Sequence, residues 1–195
     1  MFFVRTESFQ QFLRYYPVIS AIIAIHIILF LGVNVSEELR LLLRGVNVYI
    51  TEAGEYWRLI TPIFVHIGLM HFIFNSFSLI LFGPALEVML GKTKFILAYL
   101  TTGILANVAT LFLAGPWYAH VGASGAIFGL FGIYLYLLFM RPELLDANSR
   151  QIIVLIVIFA LLMTFLRTGI NIYAHIFGLL AGLAMGPLLF THFKR

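Results

Sequence analysis

The chain is 195 residues long, 62% hydrophobic and only 10% charged, with a formal charge of +4 and no cysteine. Soluble chains carry about 25% charged residues, so this composition marks a membrane protein, and the length suits one membrane domain covering 1–195. Disulfides, thiolate metal sites and a cysteine nucleophile are excluded, and the basic excess reads as a membrane-protein loop bias rather than a nucleic-acid surface.

Six segments approach the roughly 20 apolar residues that cross a bilayer. They lie at about 17–33, 66–86, 95–114, 121–139, 152–167 and 170–190. The expected fold is all-α, a bundle of six transmembrane helices. The first segment follows Arg5 and Arg14, as a signal peptide would. It is longer than the usual apolar region of about 7–15 residues, and Asn34-Val35-Ser36-Glu37 is a poor cleavage site, so it reads as a retained span. The stretch 34–65 is too polar for a span. Its leucines alternate with Arg40, Arg44 and Asn47, and Tyr56 and Trp57 suit an interface. Two readings stand: a short segment in the outer headgroup layer, or a folded external loop. The fifth segment is short, and its border with the sixth falls around Arg167-Thr168-Gly169.

Charge placement orients these segments. With the N-terminus inside, eight of the twelve Lys and Arg are cytoplasmic: Arg5, Arg14, Lys92, Lys94, Arg141, Arg150, Lys194 and Arg195. Arg40, Arg44, Arg58 and Arg167 are outside. The expectation is a multi-pass protein of the cell membrane with both termini cytoplasmic.

Parity then aligns three polar residues. His71 is the sixth residue of the second segment, Ser124 the fourth of the fourth, and His175 the sixth of the sixth. At about 1.5 Å per residue, all three lie roughly 5–8 Å from the outer edge. Polar groups inside the hydrocarbon zone are costly and mark function or a buried pairing. A serine hydroxyl becomes a nucleophile when an imidazole stands within about 2.6–3.2 Å of it. Two helices bring such short side chains together only if their backbones nearly touch, which small residues at four-residue spacing allow. Gly125, Gly129 and Gly132 supply them in one segment, and Ala174, Gly178, Gly182 and Gly186 in the other. Small residues at this spacing also serve plain packing, and a membrane serine often bonds its own helix.

An oxyanion needs donors. The Ser124 amide lies in the first turn of its helix, where backbone N–H groups lack intrahelical partners. His71 and Asn75, spaced i,i+4, share one face. They either donate to the oxyanion or tie their helix to a neighbour. Glu7, Glu37, Glu38, Glu52, Glu55, Glu87, Glu143 and Asp146 all fall outside the outer halves of the spans, so a Ser–His dyad is the economical arrangement. A zinc site is disfavoured. His66 and His71 are five apart, and no carboxylate or cysteine joins them. No cofactor is expected. His26 has no evident partner, and His120 and His192 carry no evident role.

These residues resemble the rhomboid intramembrane serine proteases, over about 55–190. Gly122-Ala123-Ser124-Gly125 resembles the nucleophile motif and Ala174-His175-Ile176-Phe177-Gly178 the base motif. His71-Phe72-Ile73-Phe74-Asn75 is similar to the H-x-x-x-N of the second span, with His66 where another histidine is frequent. Glu55-Tyr56-Trp57-Arg58 resembles the E-x-W-R of the first external loop, and Gly83-Pro84-Ala85-Leu86-Glu87 the G-x-x-x-E that closes span two. The resemblance is to the minimal six-span bacterial form. It implies a cavity open to the outside, with Ser124 as nucleophile and His175 as base. His71, Asn75 and the Ser124 amide would form the oxyanion site, and the fifth span and last external loop the gate and cap. Bacterial members often carry Tyr where this chain has Phe128; ring stacking survives and the hydroxyl is lost.

The expected activity is endoproteolysis of transmembrane protein substrates near the outer membrane face. The expected partners are those substrates and the lipid bilayer, with no nucleic acid; the oligomeric state is left open. The rival is a catalytically weak or inactive rhomboid-like protein that binds membrane clients for quality control. The presence of both Ser124 and His175 argues against it. A channel would need a continuous polar path, and the inner halves of these segments are almost wholly apolar.

Overall fold

The computed structural model describes residues 3–191; His192, Lys194 and Arg195 lie outside the described residues. A short helix α1 (Phe9–Tyr15) is opened by Ser8, whose hydroxyl accepts from the Gln11 amide. Pro17 then opens α2 (Pro17–Val35), where its missing N–H costs nothing. The remaining long helices are α5 (Leu69–Leu90), α6 (Lys92–Leu113), α7 (Ser124–Met140), α8 (Ala147–Leu166) and α9 (Ile172–Leu189). Five of these six, all but α7, have the length and apolarity to cross a bilayer. The molecule is an all-α, multi-pass membrane bundle.

Several expected boundaries shift. The second span begins at Leu69 and the fourth at Ser124, each three residues later than expected. The reason is backbone geometry. Gly68 and Gly122 take φ of +83° and +120°, outside the helical region, so 66–68 and 121–123 continue as loop. The fifth span is not short. It starts at Ala147 because the Asp146 carboxylate accepts from the Ser149 amide at 3.0 Å and caps the helix. The border between α8 and α9 is the loop 167–171.

The stretch 34–65 is folded. Ser36 caps α3 (Glu37–Leu43), followed by β1 (Gly45–Val46), α4 (Asn47–Thr51) and two 3₁₀ turns, Tyr56–Leu59 and Thr61–Ile63. Arg58, almost fully buried, organises it. One guanidinium nitrogen donates to the Leu41 and Arg44 carbonyls at 2.7 Å each, and another pairs with Glu55. β1 pairs antiparallel with β2 (Ala119–His120), Gly45 opposite His120. Asn47 also donates to the Thr110 and Gly115 carbonyls. The first loop is thereby fastened to the loop that leads into α7.

α7 is the central helix: every residue from Gly125 to Tyr134 is buried. It packs against both α6 and α9, which also touch each other, and glycine sets the α9 approach. A Cβ on Gly178 would land on the Gly125 carbonyl, and one on Gly182 on the Gly129 carbonyl. The two backbones touch because no side chain separates them. At the other end of the bundle, Glu87 accepts from the Val18 and Ile19 amides at 2.9 and 3.0 Å. That carboxylate, roughly 24 Å along α5 from His71 at about 1.5 Å per residue, is committed to capping α2.

Candidate active site

The residues singled out in the sequence converge. His71 is the third residue of α5, Ser124 the first of α7 and His175 the fourth of α9. They therefore sit nearer their helix starts than the sequence count implied, but at one end of the bundle. With Asn75, Phe128 and His120, they line a single cavity of about 960 Å³.

Each side chain is held by its surroundings. Hydrogen bonds from two backbone amides fix the approach to Ser124. The Gly122 amide donates to the Pro62 carbonyl at 2.8 Å, and the Ala123 amide to His66 Nε2 at 3.3 Å. Ser124 opens α7, so its own amide is among those a helix leaves without an intrahelical partner. The His71 ring lies against Gly122. A Cβ there would fall 2.5 Å from His71 Nε2, so only glycine leaves room for the ring two residues before Ser124. Asn75 is buried and donates to the His71 carbonyl at 2.9 Å, which leaves its Oδ1 without a hydrogen-bond partner.

His175 is gripped on two sides. The Phe128 ring stacks on it with centroids 4.0 Å apart and planes 17° from parallel. The Thr164 hydroxyl of α8 lies 2.8 Å from Nδ1. The sequence reading missed Thr164. Its signal was a lone hydroxyl in the apolar run Leu161-Leu162-Met163-Thr164-Phe165-Leu166. α8 and α9 run in opposite directions with a short loop between them, so its level matches that of His175.

Two other histidines take places the sequence did not reveal. His26, read as lacking a partner, is fully buried with its ring 4.5 Å from that of His66, which in turn lies 5.2 Å from that of His71. Among the described residues no three His, Asp or Glu side chains are arranged to hold a metal ion. His120, read as carrying no role, lines the cavity with its ring packed over Gly45. Burial pushes its pKa down to about 4, so the ring is neutral at pH 7.

Comparison with known proteins agrees with this architecture. The Rhomboid domain family matches residues 53–192. The chain is 46% identical over 190 residues to a Bacillus subtilis (strain 168) protein named "Putative rhomboid protease YdcA", covering 95% of each chain. It is 40% identical over 129 residues to the rhomboid protease GluP of the same organism, covering 66% of this chain and 25% of that one. It is 33% identical over 142 residues to the mitochondrial RHOMBOID-like protein 6 of Arabidopsis thaliana, covering 72% of this chain and 46% of that one. A six-helix membrane bundle that matches the family over most of its length, and a near full-length relative at this identity, lead to one conclusion: the chain belongs to the rhomboid family of intramembrane serine proteases.

Proposed function

We propose that Ser124 and His175 form the catalytic dyad of an endopeptidase that cleaves transmembrane proteins near the outer face of the cell membrane. The observation that carries this reading is the meeting of Ser124, His175 and His71 on the wall of one cavity. Ser124 Oγ attacks the substrate carbonyl while His175 takes its proton and then gives it to the leaving amine. Water resolves the acyl-enzyme with His175 again as base. The developing oxyanion accepts from the Ser124 amide, His71 and Asn75, donors aimed where charge appears.

The glycine contact between α7 and α9 supports the pairing, since it lets a serine and a histidine on separate helices approach. The cavity supports peptide access, because cleavage in a membrane needs both room for extended backbone and water. The eight-to-four distribution of Lys and Arg supports cytoplasmic termini, with the cavity toward the outside. The test uses purified protein in detergent with a model transmembrane substrate. Ser124→Ala and His175→Ala each abolish cleavage with folding intact, and the double variant is no worse than either single, because the pair acts as a unit. Cleavage retained by either single variant would overturn the dyad.

A further inference from the structure

We infer that Thr164 is a positioning residue for His175, and that it holds the imidazole in the tautomer a general base requires. The inference rests on the reading of Ser124 and His175 as a dyad.

Thr164 is fully buried. Its Oγ1 has two neighbours, the Ala160 carbonyl oxygen at 2.8 Å and His175 Nδ1 at 2.8 Å. A hydroxyl has one proton to give and two lone pairs. A carbonyl oxygen can only accept, so the proton goes to Ala160 and a lone pair faces Nδ1. Nδ1 then carries the hydrogen. In a neutral imidazole the other nitrogen is the acceptor, so Nε2 keeps the lone pair that takes the Ser124 proton. Phe128 on α7 fixes the plane of the ring, Thr164 on α8 fixes which edge is protonated, and α9 carries the ring itself.

The choice of a hydroxyl suits the location. A carboxylate could orient the histidine too, but a charge inside a membrane helix is costly. A threonine whose hydroxyl already bonds its own helix turn brings a neutral acceptor at small cost. Among the described residues, the buried carboxylate Glu87 is occupied by the Val18 and Ile19 amides. A neutral acceptor cannot offset the charge of an imidazolium. Its effect therefore falls on orientation and tautomer, and is modest in size.

The experiment compares Thr164→Val, which keeps the shape and removes the hydroxyl, with Thr164→Ser, which keeps the hydroxyl. kcat, KM and melting temperature are measured on each. ¹⁵N spectra of histidine-labelled protein report which His175 nitrogen is protonated. Thr164→Val is expected to lower kcat about tenfold, the size of one ordinary hydrogen bond at the transition state. KM and melting temperature stay unchanged, the His175 spectrum moves toward the Nε2–H form, and Thr164→Ser restores both. Normal kcat in Thr164→Val would overturn the inference. So would a loss that follows melting temperature and is not rescued by serine. Should Thr164→Val fail to fold, the wild-type spectrum still decides: a bare Nδ1 and protonated Nε2 on His175 at neutral pH would sink it. Activity in His175→Ala would instead sink the dyad itself, so the two failures are separable.

Discussion

The ring of Phe128 lies flat on the ring of His175, with centroids 4.0 Å apart and an interplanar angle of 17°. They come from two helices whose backbones touch through glycine, so the stack is a product of the same close approach that brings Ser124 toward His175. A stacked aromatic pair is worth about 0.5–1.5 kcal/mol beyond area burial. Replacing Phe128 with Leu should therefore lower kcat by up to about tenfold and leave KM near its original value. Phe128→Tyr should behave like the parent. Steady-state kinetics on the purified variants checks this. An unchanged kcat for Phe128→Leu would mean that the stack contributes packing only.

The glycine contact makes a sharper forecast. A Cβ on Gly182 meets the Gly129 carbonyl, which belongs to backbone and cannot swing aside. Overpacking a dense core costs about 1–3 kcal/mol, and here relief comes only from parting α7 and α9. Gly182→Val should lower the melting temperature and, if Ser124 and His175 work as the proposed dyad, slow fluorophosphonate labelling of Ser124, because the two residues separate together. Labelling at the parent rate, despite a lower melting temperature, would show that the two residues do not depend on this contact.

The proposed oxyanion donors separate chemistry from packing. Removing one oxyanion donor costs about 10²–10³ in kcat in well-studied hydrolases. His71→Ala should show a loss toward that range with little change in melting temperature, since its ring packs on Gly122 beside Ser124. Asn75→Ala should be mixed, because Asn75 is buried and also bonds the His71 carbonyl. Normal turnover with a lowered melting temperature for His71→Ala would make that residue structural.

His120 supplies a pH dependence. Its folded pKa is pushed from the ordinary 6.5 down to about 4 by burial. The folded state therefore binds fewer protons than the unfolded state between those values. The stability it contributes is complete above about 6.5 and is lost as pH falls toward 4. The melting temperature of the parent should fall from about pH 7 to pH 5 more steeply than that of His120→Phe. Parallel curves would assign the acid sensitivity to other groups.

The long helices were legible in the sequence because a bilayer demands long apolar runs, and the same demand makes any polar residue inside them conspicuous. That is why Ser124, His175, His71 and Asn75 could be named from order and spacing, and why the glycine stripes around Gly125 and Gly178 could be read as a contact between two helices. Other features depended on what the chain meets in space. The late starts of α5 and α7 follow from Gly68 and Gly122 taking positive φ, a backbone conformation hidden from hydropathy. Arg58 reads in the sequence as an outside charge and as part of the Glu55-Tyr56-Trp57-Arg58 run; that it is a buried clamp follows from its bonds to the Leu41 and Arg44 carbonyls, and backbone acceptors leave no mark in composition. The neighbours of His26, and the Thr164 hydroxyl at His175 Nδ1, were decided by the tertiary structure alone. Periodicity describes one helix at a time, whereas the partner of a buried polar group is set by which helix packs beside it.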